Sequence, residues 1–174
     1  MYRHRHDLTC ARRAGLGLAI FMITLVGRVS SPEAATLEDA RDLMEAGEFE
    51  AAKEAFLPLA RSGNADAEEL IGVLYALGLG VERDPERAFE WCLRSAMKGH
   101  PGAQSGVGWS YELGLGMPAP DLVRAYLWYG LSMIGGDPDA AIAIEEVVKK
   151  MTPEEIDRGN VLINDYKGWM YPFR

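Results

Sequence analysis

The chain has 174 residues, of which 18 are Lys or Arg and 26 are Asp or Glu, giving a formal charge of −8 at pH 7. An acidic balance of this size repels nucleic acid and anionic membrane surfaces, so neither is an expected partner. Two cysteines, Cys10 and Cys92, cannot form a disulfide framework, and the length suffices for one domain with a real core.

Residues Met1–Arg13 carry Arg3, Arg5, Arg12 and Arg13 against Asp7 alone, and the uncharged run Ala14–Gly27 follows. A basic segment ahead of a short apolar one is the plan of a signal peptide. The run has 14 residues, short of the roughly 20 that span a bilayer, so a leader over 1–35 is expected to be cleaved, with an uncleaved membrane anchor as the alternative. Removing it leaves 13 basic against 24 acidic residues, a formal charge of −11, and Cys92 as the one remaining cysteine. The protein is expected to be exported, to the periplasm or beyond.

Residues 36–66 read as a degenerate first unit and N-terminal cap. Thr36 is placed to N-cap a helix through about Ala46, with Glu38, Asp39 and Asp42 at its positive end. Gly47 turns the chain, and Phe49, Ala52, Phe56, Leu59 and Ala60 recur at helical spacing along Glu48–Ser62.

Residues 67–100 and 101–136 are two copies of one unit. Ala67, Gly72, Tyr75 and Leu77-Gly78-Leu79-Gly80 recur 36 residues later as Ala103, Gly108, Tyr111 and Leu113-Gly114-Leu115-Gly116. One residue then enters the Pro118–Pro120 loop, after which Asp84, Ala88, Trp91, Ser95 and Gly99 recur 37 residues later as Asp121, Ala125, Trp128, Ser132 and Gly136. Self-similarity at such a period marks a stacked array whose units cannot bury their apolar faces alone. Ala67, Gly72, Ala88 and Ala96 are small where helices approach, while Leu70, Tyr75, Leu77, Phe89, Trp91 and Leu93 supply apolar area. Gly78-Leu79-Gly80 lacks the third glycine of a nucleotide loop and follows a helix, so it reads as a C-capping turn. Asp84-Pro85 and Asp137-Pro138 read as N-caps followed by a proline at the first helical position.

The pattern Ala67-x-x-x-x-Gly72-x-x-Tyr75-x-x-Gly78-x-Gly80-Val81-x-x-Asp84-x-x-x-Ala88-x-x-Trp91, closing at Gly99, resembles a Sel1-like repeat, the glycine-turn relative of the tetratricopeptide repeat. The resemblance implies an all-α, right-handed α-solenoid of about eight helices in antiparallel pairs. It also implies an adaptor or regulator that holds other proteins, commonly in bacterial envelopes. Two departures stand out: Cys92 replaces the family's usual aromatic, and Leu131-Ser132-Met133 replaces its Lys-Ala-Ala.

Residues 137–174 are expected to close the array. A seventh helix over Pro138–Lys150 places Ala141, Ile144 and Val148 on one stripe. An eighth begins at the capping box Thr152-Pro153-Glu154-Glu155 and continues through Ile156, Leu162, Ile163 and Tyr166, with Gly159 and Asn160 weakening its middle. The aromatic tail Trp169–Arg174 either tucks against the last helices or offers an apolar contact.

Residues suited to chemistry are sparse. His100, the single histidine after the leader, reads as a helix start, and with Cys92 it makes no zinc set, so no metal or cofactor is expected. Cys92 reads as a buried apolar residue, and Glu68-Glu69, Glu145-Glu146 and Glu154-Glu155 as solvated faces, because adjacent helical positions diverge. The function expected is therefore non-catalytic, with an envelope hydrolase acting on cell-wall material or a β-lactam as the alternative. In this architecture the first helix of each unit lines the concave side. The candidate contacts by register are Arg41 and Glu45, then Glu69, Val73 and Leu77, then Ser105, Trp109 and Glu112. Trp109 stands where the preceding copy has Val73, and reads either as an interface anchor or as a partly buried structural residue.

Overall fold

A computed structural model describes residues 35–171, so the leader, apart from Ala35, and the last three residues lie outside the described residues. Among the described residues there are eight helices and no strand: α1 (Leu37–Glu45), α2 (Phe49–Arg61), α3 (Ala65–Leu77), α4 (Pro85–Ala96), α5 (Pro101–Leu113), α6 (Leu122–Gly135), α7 (Ala140–Val148) and α8 (Pro153–Met170). Each helix from α1 to α6 packs on the next, α6 packs on both α5 and α7, and α8 folds back onto α6. The result is a helical solenoid with its core threaded along the stack. Ala40, Phe56, Ile71 and Leu74 fill one end; Ala96, Val107, Trp128 and Leu131 fill the middle; Ala125, Tyr129 and Val147 fill the far end.

Short polar side chains fix where each helix begins. Thr36 and Asp39 exchange hydrogen bonds of 3.1 and 2.8 Å with each other's backbone N–H groups, a capping box that starts α1. Asn64 and His100, 36 residues apart, do the same job with different chemistry: the Asn64 amide oxygen accepts from the Ala67 N–H at 2.9 Å, and His100 Nδ1 from the Ala103 N–H at 3.1 Å. Asp84 and Asp121 accept from the Arg87 and Arg124 N–H groups. Thr152 and Glu155 form the expected box at α8.

The second glycine of each turn sets the stacking of one unit on the previous one. Gly80 and Gly116 both have positive φ, 65° and 73°, and a Cβ on either would meet backbone: Glu50 N at 2.5 Å for Gly80, and the Pro85 carbonyl oxygen at 2.6 Å for Gly116. Only glycine satisfies the dihedral and the space together. The contacted segments, residues 49–50 and 85–86, are themselves 36 apart, so the same junction is built twice.

Three expectations are corrected. Asp137-Pro138 does not cap α7, which starts two residues later, after Asp139; the Asp137 carboxylate instead accepts from Ser105 and Ser132 and from the Asp139 N–H. The buried stripe of α7 is consequently Ala140 and Val147, and Ala141 is exposed. Glu68 is not on a solvated face but fully buried, its carboxylate held 2.6 Å from Lys98 Nζ and 3.1 Å from Arg94 Nη2. A buried carboxylate is tolerable when paired in this way. Its counterpart 36 residues on is the neutral Gln104, where Leu131 and Gly135 replace the two cations and Tyr171 donates instead, at 3.0 Å.

The expected weakness in α8 has a structural use. Gly159 is buried where a Cβ would lie 2.5 Å from the Tyr126 ring, so glycine lets α8 close onto α6. The tail divides its roles: Tyr171 reaches Gly99 and Gln104, while Trp169 is 63% exposed.

Candidate interaction groove

A groove of about 230 Å³ runs between α3 and α5, over the N-terminal half of α4. Its α3 wall is Glu69, Val73, Ala76 and Leu77, the i, i+4 and i+3 neighbours on one helix face. Its α5 wall is Gly102, Gly106, Trp109 and Ser110, and its floor is Pro85, Ala88 and Cys92. Arg83 and Leu115 complete it from the two turns. Four of the eight candidate residues therefore share one site: Glu69, Val73, Leu77 and Trp109.

The other four lie elsewhere. Arg41 Nη2 is 3.0 Å from Asp66 Oδ1, tying α1 to α3, and Asp66 also faces His100 Nε2 at 3.5 Å. Glu45 is exposed on the last turn of α1. Ser105 is turned away from the groove, bonding to Ser132 and Asp137 at the start of the α6–α7 connection. Glu112 accepts from the Tyr129 hydroxyl at 2.8 Å and from Lys150 at 2.6 Å, joining α5 to α6 and to the residues after α7. Register along a helix gave the first-helix face but not which side of it meets the second helix of the unit. Ser105 and Glu112 fall on that packed side.

Trp109 is partly exposed at the edge of the groove. The indole is 44% exposed, Leu77 across the groove is 60% exposed, and Leu113, one turn beyond Trp109, is 50% exposed. In this chain Phe56, Trp128 and Tyr129, which carry the packing, are at most 4% exposed. Trp109 is thus an apolar surface residue at the rim of a groove.

The groove exists because small residues stand where the other copy has large ones. Cys92 is the counterpart of Tyr129, Gly106 of Leu70 and Gly102 of Asp66. The Cys92 departure was visible in the sequence, and the glycines could have been found by aligning the copies position by position. That the three vacancies adjoin could not.

Electrostatically the groove is apolar between one acid, Glu69, and one cation, Arg83, whose Nε donates to the Ala76 carbonyl oxygen at 3.0 Å. Burial raises the Glu69 carboxyl above its ordinary value of 4.5, with Asp66 adding to the rise and His100 and Arg41 opposing it. Burial, with a smaller push from Glu69, raises the Cys92 thiol to about 12, so it is protonated and not a nucleophile at neutral pH. Among the described residues there is no group of three or more His, Cys, Asp or Glu arranged for a metal ion, and no helix long and apolar enough to cross a membrane.

The Sel1 repeat family model matches residues 65–100 and 101–143. The alginate biosynthesis protein AlgK of Azotobacter vinelandii is 28% identical over 105 residues, 60% of this chain and 23% of AlgK. Among solved structures, a protective antigen present in uropathogenic Escherichia coli strains and displaying an SLR fold superposes with a TM-score of 0.73 at 24% identity, over 78% of this chain and 30% of that one. A Sel1 repeat protein from Oxalobacter formigenes superposes with a TM-score of 0.59 at 32% identity, over 63% of this chain and 44% of that one. The chain spans less than half the length of each of these relatives. Proteins with such repeats are generally protein-interaction modules, and this chain carries two Sel1 repeats, at α3–α4 and α5–α6, in a helical solenoid.

Proposed function

We propose that the chain is a non-catalytic adaptor or regulator of the bacterial cell envelope, holding a segment of a partner protein along the face made by the first helices of its units. The observation that carries the reading is the half-exposed Trp109 at the rim of an apolar groove, opposite Leu77 and Val73. Aromatic side chains in such settings dominate interface energies. The acidic surface and the basic, apolar start of the chain support a location outside the cytoplasm and a partner that is not nucleic acid. The hydrolase alternative gains no support from Cys92, whose thiol is held protonated by burial and by the charge of Glu69.

The test is Trp109→Ala. Truncating a central aromatic anchor costs at least about 2 kcal/mol of binding, roughly thirtyfold in affinity. Helix content measured by circular dichroism should stay as in the parent, because the indole is not in the core. A variant that keeps the parent's affinity for partners cross-linked from the native envelope removes the groove from the reading.

A further inference from the structure

The groove is held open at a cost to its own helix. Glycine inside a helix is less favourable than alanine by about 1 kcal/mol, and α5 carries three: Gly102, Gly106 and Gly108. Gly108 is forced, because a Cβ there would lie 2.8 Å from the Tyr129 ring. Gly106 is not, since its Cβ would meet only Cys92 Sγ at 3.7 Å, an ordinary contact. Nor is Gly102 forced by a neighbouring backbone; its nearest neighbour is the His100 ring, at 3.3 Å. At the position of Gly106 the preceding copy carries Leu70, so the fold accommodates a large side chain there. Gly106 leaves room above Cys92, and Gly102 leaves room beside Glu69.

Glu69 supplies the second observation. Its carboxylate oxygen lies 3.8 Å from where a Gly102 Cβ would be, facing across the end of the groove, and it makes no hydrogen bond or ion pair among the described residues. The basic side chains nearby are engaged elsewhere: Arg41 pairs with Asp66, and the His100 ring accepts from the Ala103 N–H at Nδ1 and faces Asp66 with Nε2. A partly buried carboxylate with no cation in hydrogen-bonding contact, beside an open apolar slot, is complementary to a positive group on whatever fills the slot.

We infer that the groove takes a short extended segment of a partner protein, with a lysine or arginine against Glu69 and apolar side chains at alternate positions over Cys92 and against Trp109. This rests on the reading of the groove as the partner site. The spacing fits: Gly102 to Gly106 is one helical turn, about 6 Å along α5, and two residues of extended chain rise about 6.6 Å with their side chains on one side. A cation at the first position therefore places the third position over the Cys92 vacancy and the fifth beside Trp109. Backbone groups of the segment are left free to bond to water at the open side.

The probe is a fluorescein-labelled nonapeptide, Gly-Ser-Lys-Ser-Leu-Ser-Leu-Ser-Gly, titrated by polarisation against the full chain, with a companion peptide carrying Glu in place of Lys. The lysine peptide should bind at least tenfold more tightly than its companion. Glu69→Gln should remove that preference, and Glu69→Lys should reverse it. Gly106→Leu should weaken binding tenfold or more while the melting temperature stays unchanged or rises, which separates a filled groove from a damaged fold. Equal binding of the two peptides, full binding to Gly106→Leu, or no binding at millimolar chain overturns the inference. So does a concentration-dependent dimer that Gly106→Leu dissolves, since the occupant is then a second copy of this chain. A native partner lost on Trp109→Ala but held equally by the parent, Glu69→Gln and Gly106→Leu overturns this inference and leaves the adaptor reading standing.

Discussion

Gly72→Ala is the sharpest test of how α3 and α4 are packed. The added methyl would sit 2.4 Å from Cys92 Sγ, 3.2 Å from the Ala88 carbonyl oxygen and 3.3 Å from the Cys92 amide nitrogen. Two of these three are backbone, and the sulfur is one bond from Cβ on a buried helix, so relief requires the helices to separate. Two effects compete. Alanine improves helix propensity by about 1 kcal/mol, and overpacking a close helix contact costs about 1–3 kcal/mol, more where backbone must move. Because two of the contacts are to backbone the cost lies in the upper half of that range, about 2–3 kcal/mol, so overpacking wins, and the net loss of about 1–2 kcal/mol lowers the melting temperature by about 3–8 °C for a domain of this size. Because each unit is stabilised by its neighbours, the loss spreads along the array, and Gly72→Leu should unfold it. The assay is thermal unfolding followed by circular dichroism, with Cys92→Ala and the double variant completing a cycle. Removing the sulfur takes away the shortest of the three contacts, so the double variant should be more stable than the sum of the two single losses. A Gly72→Ala protein that melts at or above the parent's temperature, or strict additivity, refutes the account of the contact.

Three further outcomes are expected. Glu68→Ala removes a fully buried carboxylate, but Arg94 and Lys98 are 53% and 40% exposed and rehydrate, so it should cost about 1–3 kcal/mol in urea unfolding, against a change within about 0.5 kcal/mol for the exposed Glu145→Ala. Cys92 should resist a thiol reagent at pH 8 in the folded protein and react readily in denaturant, because burial raises its thiol to about 12. The raised Glu69 pKa means that the folded chain takes up that proton more readily than the unfolded one, so its contribution to stability is present below pH 4.5 and lost as pH rises through the folded value. Glu69→Gln should therefore be more stable than the parent at pH 7, an advantage that shrinks toward pH 4; a variant equal to the parent at both pH values removes the burial argument.

Neighbouring residues settle part of this fold between themselves. The period of 36 and 37 residues, the glycine turns, the N-cap at Thr36, the capping box at Thr152 and the proline-led starts at Pro85 and Pro153 were legible because each is a local backbone requirement that few residue types meet. Cys92 was legible as a buried residue, and His100 as a helix start, for the same reason. The tertiary structure decided what depends on residues far apart in the chain. Asp137 looked like a cap until Ser105 and Ser132 were brought to its carboxylate, which moved the start of α7 and with it the buried stripe. Glu68 looked solvated because adjacent acids diverge on a helix, and it is buried because Arg94 and Lys98 on α4 converge on it. Of the eight contact residues chosen by register, Glu69, Val73, Leu77 and Trp109 meet in one groove, while Ser105 and Glu112 serve packing. Helical periodicity fixes a residue's angle on its own helix, but whether that angle faces a partner helix or open space is set by how α5 crosses α4, and a vacancy forms only where Cys92, Gly102 and Gly106 from two different helices adjoin.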